Sequence, residues 1–249
     1  MCSQKWKWFY FCFLSFSISA KPIDIAVGGY LFTPYVVKDE NGKYSGVTVS
    51  LIDELNRRQG KYNFVFNITS PYRRYADFDK KMDIFMFEDE RWGWKKKKVY
   101  FSPSVVKYIE CFVTRANEKR PINELALIGV RGYNYDYISN NKPAFLLHDD
   151  DKLFDALLRG RGDLIQVNSF RLKQYLNKNP STKSAFEISG EFVKFDLKFI
   201  FNSNSKISQD EFFKIWKGVL DEGAYKYVMR KHGLGYLVDG ENHNDNCSF

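Results

Sequence analysis

The alternation of strand and helix signals between Ile23 and Ile68 constrains this chain more than any other feature. Ile23-Asp24-Ile25-Ala26-Val27 alternates like a strand, and Gly28 with Gly29 ends it. A loop through Phe32, Pro34 and Tyr35 follows, and Asp39-Glu40-Asn41-Gly42-Lys43 reads as a hairpin-like turn. Val49, Leu51, Ile52 and Leu55 then recur at helical spacing, closed by Gly60 at a C-terminal cap position. Residues 63–68, Asn-Phe-Val-Phe-Asn-Ile, return as a strand. A helix that crosses between two strands points to layered α/β architecture with parallel pairing.

The pattern repeats downstream. Residues 82–86, 108–114, 127–130 and 163–167 read as strands, and 194–201 alternates like a long one. Leu153, Phe154, Ala156 and Leu157 form a helical face ending at Gly160. In the tail, Ser208 and Glu211 make a capping box before the apolar stripe of Phe212, Ile215, Trp216, Val219 and Leu220. Gly223 separates that helix from a second one, 224–231, which Gly233 ends. No low-complexity linker divides the 249 residues, so two lobes, if present, share strands.

The N-terminus reads as an export signal occupying residues 1–20. Lys5 and Lys7 precede an apolar run from Trp8 to Phe16, and Ser17, Ser19 and Ala20 supply a small-residue exit. The run is too short to span a bilayer. The formal charge of +8 loses Lys5 and Lys7 with this segment, leaving +6. Cys2 and Cys12 leave with it too, and no small residues precede Cys12, so no lipid anchor is expected. Cys111 and Cys247 remain, two cysteines able to pair in an oxidising compartment, although sequence alone does not bring them together. Paired Cys/His spacings and RNA-binding aromatic signatures are absent from the sequence, which argues against a nucleic-acid partner, and without a nucleophile elbow, metal cluster or phosphate loop no metal or cofactor is expected and an enzyme is disfavoured.

Several motifs occur in a telling order. Phe32-Thr33-Pro34-Tyr35 is followed by Asn41-Gly42-Lys43-Tyr44-Ser45-Gly46, Lys81-Met82-Asp83, the block from Lys97 to Pro103, Gly129-Val130-Arg131-Gly132, and Gly160-Arg161-Gly162-Asp163. Together with the ending from Gly223 to Gly233, this order resembles the bacterial extracellular solute-binding proteins of family 3, over nearly the whole chain after residue 20. The resemblance implies an α/β, two-lobed periplasmic-binding-protein fold with a hinge of two crossing strands. Lobe one would hold residues 21–108 plus 200–249, and lobe two 109–199. It further implies a monomeric periplasmic protein that closes on a small polar solute, an amino acid or related compound, and delivers it to the permease of an ABC-type transporter.

The same resemblance marks ligand positions. The family's carboxylate-binding arginine lies about six residues before the motif phenylalanine, here Phe101, which places Lys95 there; Arg91 and Trp94 are neighbours able to substitute. Lysine keeps the charge and loses the planar two-point fork. The family's small polar residues after the strand are replaced by Phe87, Glu88, Asp89 and Glu90, which suits a cationic ligand unless these carboxylates pair with the following lysines. The aspartate that meets the ligand ammonium is replaced by Asn168, an acceptor without countercharge. Phe32 matches an aromatic platform, and Tyr133 and Asn134 follow Gly132 at an expected helix N-terminus suited to an anion. An orphan sensor of the same fold, and a cyclohexadienyl-dehydratase-like enzyme with Glu88 or Glu90 as general acid, are the competing readings.

Overall fold

A computed structural model of the chain describes residues 21–136, 138, 143–239 and 247, so the export-signal segment lies outside the described residues. The first half of the chain runs β1 (Ile23–Gly29), β2 (Val37–Lys38), β3 (Tyr44–Ser45), α1 (Val47–Arg57), β4 (Tyr62–Ile68), α2 (Arg74–Lys81), β5 (Ile84–Glu88) and β6 (Val99–Phe101). The second half runs β7 (Val106–Arg115), β8 (Leu127–Val130), β9 (Phe145–Leu147), α3 (Leu153–Leu158), β10 (Leu164–Asn168), α4 (Ser169–Lys178), β11 (Phe186–Asn202), α5 (Gln209–Asp221) and α6 (Ala224–Lys231).

Among the described residues, nine strands form one mixed sheet ordered β4-β1-β5-β11-β7-β10-β8-β9, with β6 also on β11, while β2 and β3 make a separate hairpin. β1 pairs in parallel with both β4 and β5, as its crossovers through α1 and α2 require. β8 likewise lies parallel to β10 and β9. The two parallel wings meet on antiparallel partners: β11 binds β5 through Lys198–Phe201 and β7 through Phe186–Leu197. Each wing buries its own core. Ile25, Val27, Leu51, Phe64, Phe78, Ile84, Phe199 and Phe212 pack together in one, and Val113, Ile128, Phe154, Leu157, Ile165 and Leu172 in the other.

Local signals explain most boundaries. Ser208 caps α5, its Oγ accepting from the Glu211 N–H at 3.2 Å, and Gly223, left-handed at φ +71°, turns the chain into α6. Cys111 on β7 and Cys247 are joined by a disulfide, which returns the tail beyond α6 to the crossing strands.

Candidate ligand-binding cleft

The loops at the strand ends face one another across the β7–β11 crossing. Tyr30 and Phe32 follow β1, Arg74 opens α2, and Trp92 follows β5, so these four line the wall contributed by the first wing. Glu110 on β7, Gln166 on β10 and Tyr133, Asn134 and Tyr135 after β8 line the opposite wall. The cavity between them is about 20 Å³. A water needs roughly 10–15 Å³ on that measure, so the space holds one or two waters and no amino acid while the walls stay this close.

Aromatic contact and polar bonds hold the walls together. Tyr30 meets Tyr133 edge-on at 6.2 Å, and Phe32 packs against Tyr35, Trp92 and Tyr108 at 5.2–5.6 Å. Across the cleft, the Asn134 amide donates to the Arg91 carbonyl at 3.0 Å, and the Asn168 amide to the Thr33 carbonyl at 3.2 Å. The Arg171 guanidinium reaches the Thr33 hydroxyl at 3.3 Å. Gly132, left-handed at φ +91°, sits so close to the opposite wing that a Cβ would lie 2.3 Å from the Tyr72 nitrogen. Only glycine permits that approach.

Asn168 is also the N-cap of α4, its Oδ1 accepting from the Arg171 N–H at 2.7 Å. Asn168→Ala should therefore remove a cap and a cross-cleft bond at once, lowering stability by about 1–2 kcal/mol in urea unfolding. A change within a few tenths would show that neither bond counts in solution.

The expected site residues separate into three groups. Phe32, Tyr133 and Asn134 line the cavity, and Asn168 lies between the wings beside a second small cavity with Tyr35 and Tyr108. Among the described residues, 133–136 form an irregular loop rather than the first turn of a helix, so Tyr133 and Asn134 do not stand at a helix N-terminus as expected. Phe87, Trp94 and Lys95 are corrected as cleft residues. Phe87 adopts φ +62° beside a register shift of β5 on β11, which turns its ring into the core against Tyr35 (4.5 Å) and Phe199 (5.9 Å). Gly93, left-handed at φ +93°, turns Trp94 fully inward and leaves Lys95 exposed on the 3-10 turn Trp94–Lys96. The third group, Glu88, Glu90 and Arg91, is committed to partners within the protein. Glu90 pairs with Lys198, and Arg91 binds Asp89 at 2.9 and 3.1 Å and the Lys194 carbonyl at 2.6 Å. Glu88 is buried, accepts from Trp94 Nε1 at 2.7 Å, and its carboxyl is pushed up to about 7. Burial is the main cause; the Arg74 charge, 4.0 Å away, and bonds from Trp94 and Tyr30 oppose it without prevailing.

Arg74, Glu110 and Gln166 were not anticipated, although the sequence carries traces of each. Arg74 stands four residues before Phe78, on the buried face of α2 with Asp77. Glu110 sits between Ile109 and Cys111 on β7 and Gln166 between Ile165 and Val167 on β10, polar residues with apolar neighbours that a strand reading alone does not aim at a cleft.

No protein-family model matches the chain, and no curated protein is similar to it in sequence. Solved structures are similar in fold. An ancestral arginine-binding protein bound to arginine superposes with a TM-score of 0.67 at 18% identity, over 85% of this chain and 99% of that one. The arginine-, lysine-, histidine-binding protein of Geobacillus stearothermophilus gives 0.67 at 16%, over 85% and 94%. An ancestral amino acid-binding protein, a precursor of cyclohexadienyl dehydratase, gives 0.64 at 18%, over 84% and 94%. Wings joined at two crossing strands, with polar and aromatic side chains facing across the gap, complete the comparison: the chain has the two-lobed α/β fold of the amino-acid-binding solute receptors.

Proposed function

We propose that this protein is an exported solute receptor that closes two lobes on a small polar solute, an amino acid or related cationic compound, and passes it to an ABC-type transporter. The observation that carries the reading is the cleft itself. Its two walls come from wings that separate cores stabilise and that β7 and β11 join, with the Cys111–Cys247 disulfide tying the tail to the second core at that crossing, the arrangement a hinge needs. The lobe division at 21–108 plus 200–249 against 109–199 belongs to this proposal, as do export, periplasmic residence and a monomeric state.

A cationic solute fits the lining better than a bare carboxylate does. Tyr30, Phe32, Trp92 and Tyr133 offer ring faces and Glu110 supplies a carboxylate, while the lining cation, Arg74, is spent on carbonyls within the protein. Lys95, the residue expected to receive a carboxylate, is outside the cavity lining. Glu88 and Glu90, the candidate acids of a dehydratase, also lie outside it and bond to Trp94 and Lys198.

A thermal-shift panel of cationic, neutral and acidic amino acids, polyamines and organic acids tests the reading. A ligand at a hundred times its dissociation constant adds about 2.7 kcal/mol, which raises the melting temperature by several degrees. Cationic amino acids should give that rise and acidic ones should not. A blank across the panel would overturn solute capture and favour an orphan sensor of the same fold.

A further inference from the structure

We infer that Arg74 is a built-in ligand of the cleft, its guanidinium seated in a cation receptor formed by both wings and holding them closed without solute. The side chain is 1% exposed and carries a full charge, so its surroundings must satisfy it. The two terminal nitrogens are satisfied as a receptor would satisfy them, while Nε makes no hydrogen bond and faces the Glu88 carboxyl at 4.0 Å. Nη1 donates to the Pro71 carbonyl at 2.5 Å and to the Gly132 carbonyl of the opposite wing at 2.5 Å. Nη2 donates to the Tyr75 hydroxyl at 2.5 Å and the Trp92 carbonyl at 2.9 Å. The guanidinium lies over the Tyr75 ring at 4.3 Å and the Tyr30 ring at 5.5 Å, with Glu88 behind it.

Three features make this a receptor rather than an ordinary buried arginine. The donors spread in one plane onto carbonyls from three separate loops, a fit that the guanidinium fork allows and an ammonium does not. One of those carbonyls belongs to the far wing, so opening the cleft breaks a charge-assisted bond and hydrates Arg74. The same Gly132 is the residue whose missing Cβ lets the wings touch. Arg74 thus acts where an external guanidinium would, and a solute must displace the Gly132 contact to enter. The class of compound that the receptor accepts is a guanidinium cation.

The inference rests on the two-lobed closure and not on solute capture, so the two can fail separately. The test is small-angle scattering of purified, solute-free protein. Wild type should give the compact radius of gyration, and Arg74→Ala a larger one. Low-millimolar methylguanidinium should return the variant to the wild-type value, while equal tetramethylammonium or sodium should leave it expanded. A variant as compact as wild type overturns the proposal, and so does equal rescue by all three cations. If Arg74→Ala does not fold, Arg74→Lys decides, because it keeps the charge and loses the fork. It should be expanded, and a compact Arg74→Lys protein overturns the latch. A blank solute panel would leave these outcomes unaffected.

Discussion

Cys247→Ser is expected to lower the unfolding free energy by about 3–5 kcal/mol. The bond between Cys111 and Cys247 spans 136 residues of sequence. In the chain-entropy account, a closed loop of that size removes about 5 kcal/mol of freedom from the unfolded chain. The released Cys111 thiol is fully buried, so the folded side of the comparison changes little. Urea unfolding of the variant beside wild type, with and without reductant, reads the effect. Reductant should bring wild type to the level of the variant. A difference below about 1 kcal/mol would mean that the unfolded chain is already compact enough for the cross-link to cost it nothing.

The second large effect is a stability that declines from acid toward neutral pH, opposite to most carboxylates. Glu88 has its folded carboxyl at about 7, above an ordinary value of 4.5, so it binds its proton more tightly folded than unfolded. Its contribution is complete below pH 4.5 and is lost as pH rises through 7, in total about 3 kcal/mol. Glu88→Gln keeps an acceptor for Trp94 Nε1 and cannot ionise. Relative to wild type, that variant should gain stability steadily between about pH 5 and 8, as measured by urea midpoints at fixed ionic strength. A constant difference across that range would show that Arg74 holds Glu88 ionised throughout. The competition is between a desolvated carboxylate and a cation 4.0 Å away whose terminal N–H groups are committed to three carbonyls and the Tyr75 hydroxyl.

The order of strands and helices was legible because each signal there is local. β1, α1 and α5 follow from alternation, helical spacing and the Ser208 cap, and the structure places them within a few residues of those signals. α2 was not legible, for a physical reason: two of its three buried residues, Arg74 and Asp77, are charged, so no apolar stripe marks its inner face. The cleft was legible only in part. Phe32, Tyr133 and Asn134 sit in loops that end strands, where facing across a gap follows from topology alone. Phe87, Trp94 and Lys95 depend on how the backbone turns after β5. A left-handed Phe87 and a left-handed Gly93 exchange inside for outside over a few residues, and residue types at those positions do not announce it. Arg74 reaches its place through contacts 58 residues apart, beyond any local pattern.

β11 has a consequence for how the molecule comes apart. Its 17 residues place Phe195, Leu197, Phe199 and Phe201 in one core, while Ile188 and Phe192 pack against the other. Melting either half strips the ladder from a strand that the other half also needs. Two cores built on one shared strand are expected to lose their structure as a single thermodynamic unit.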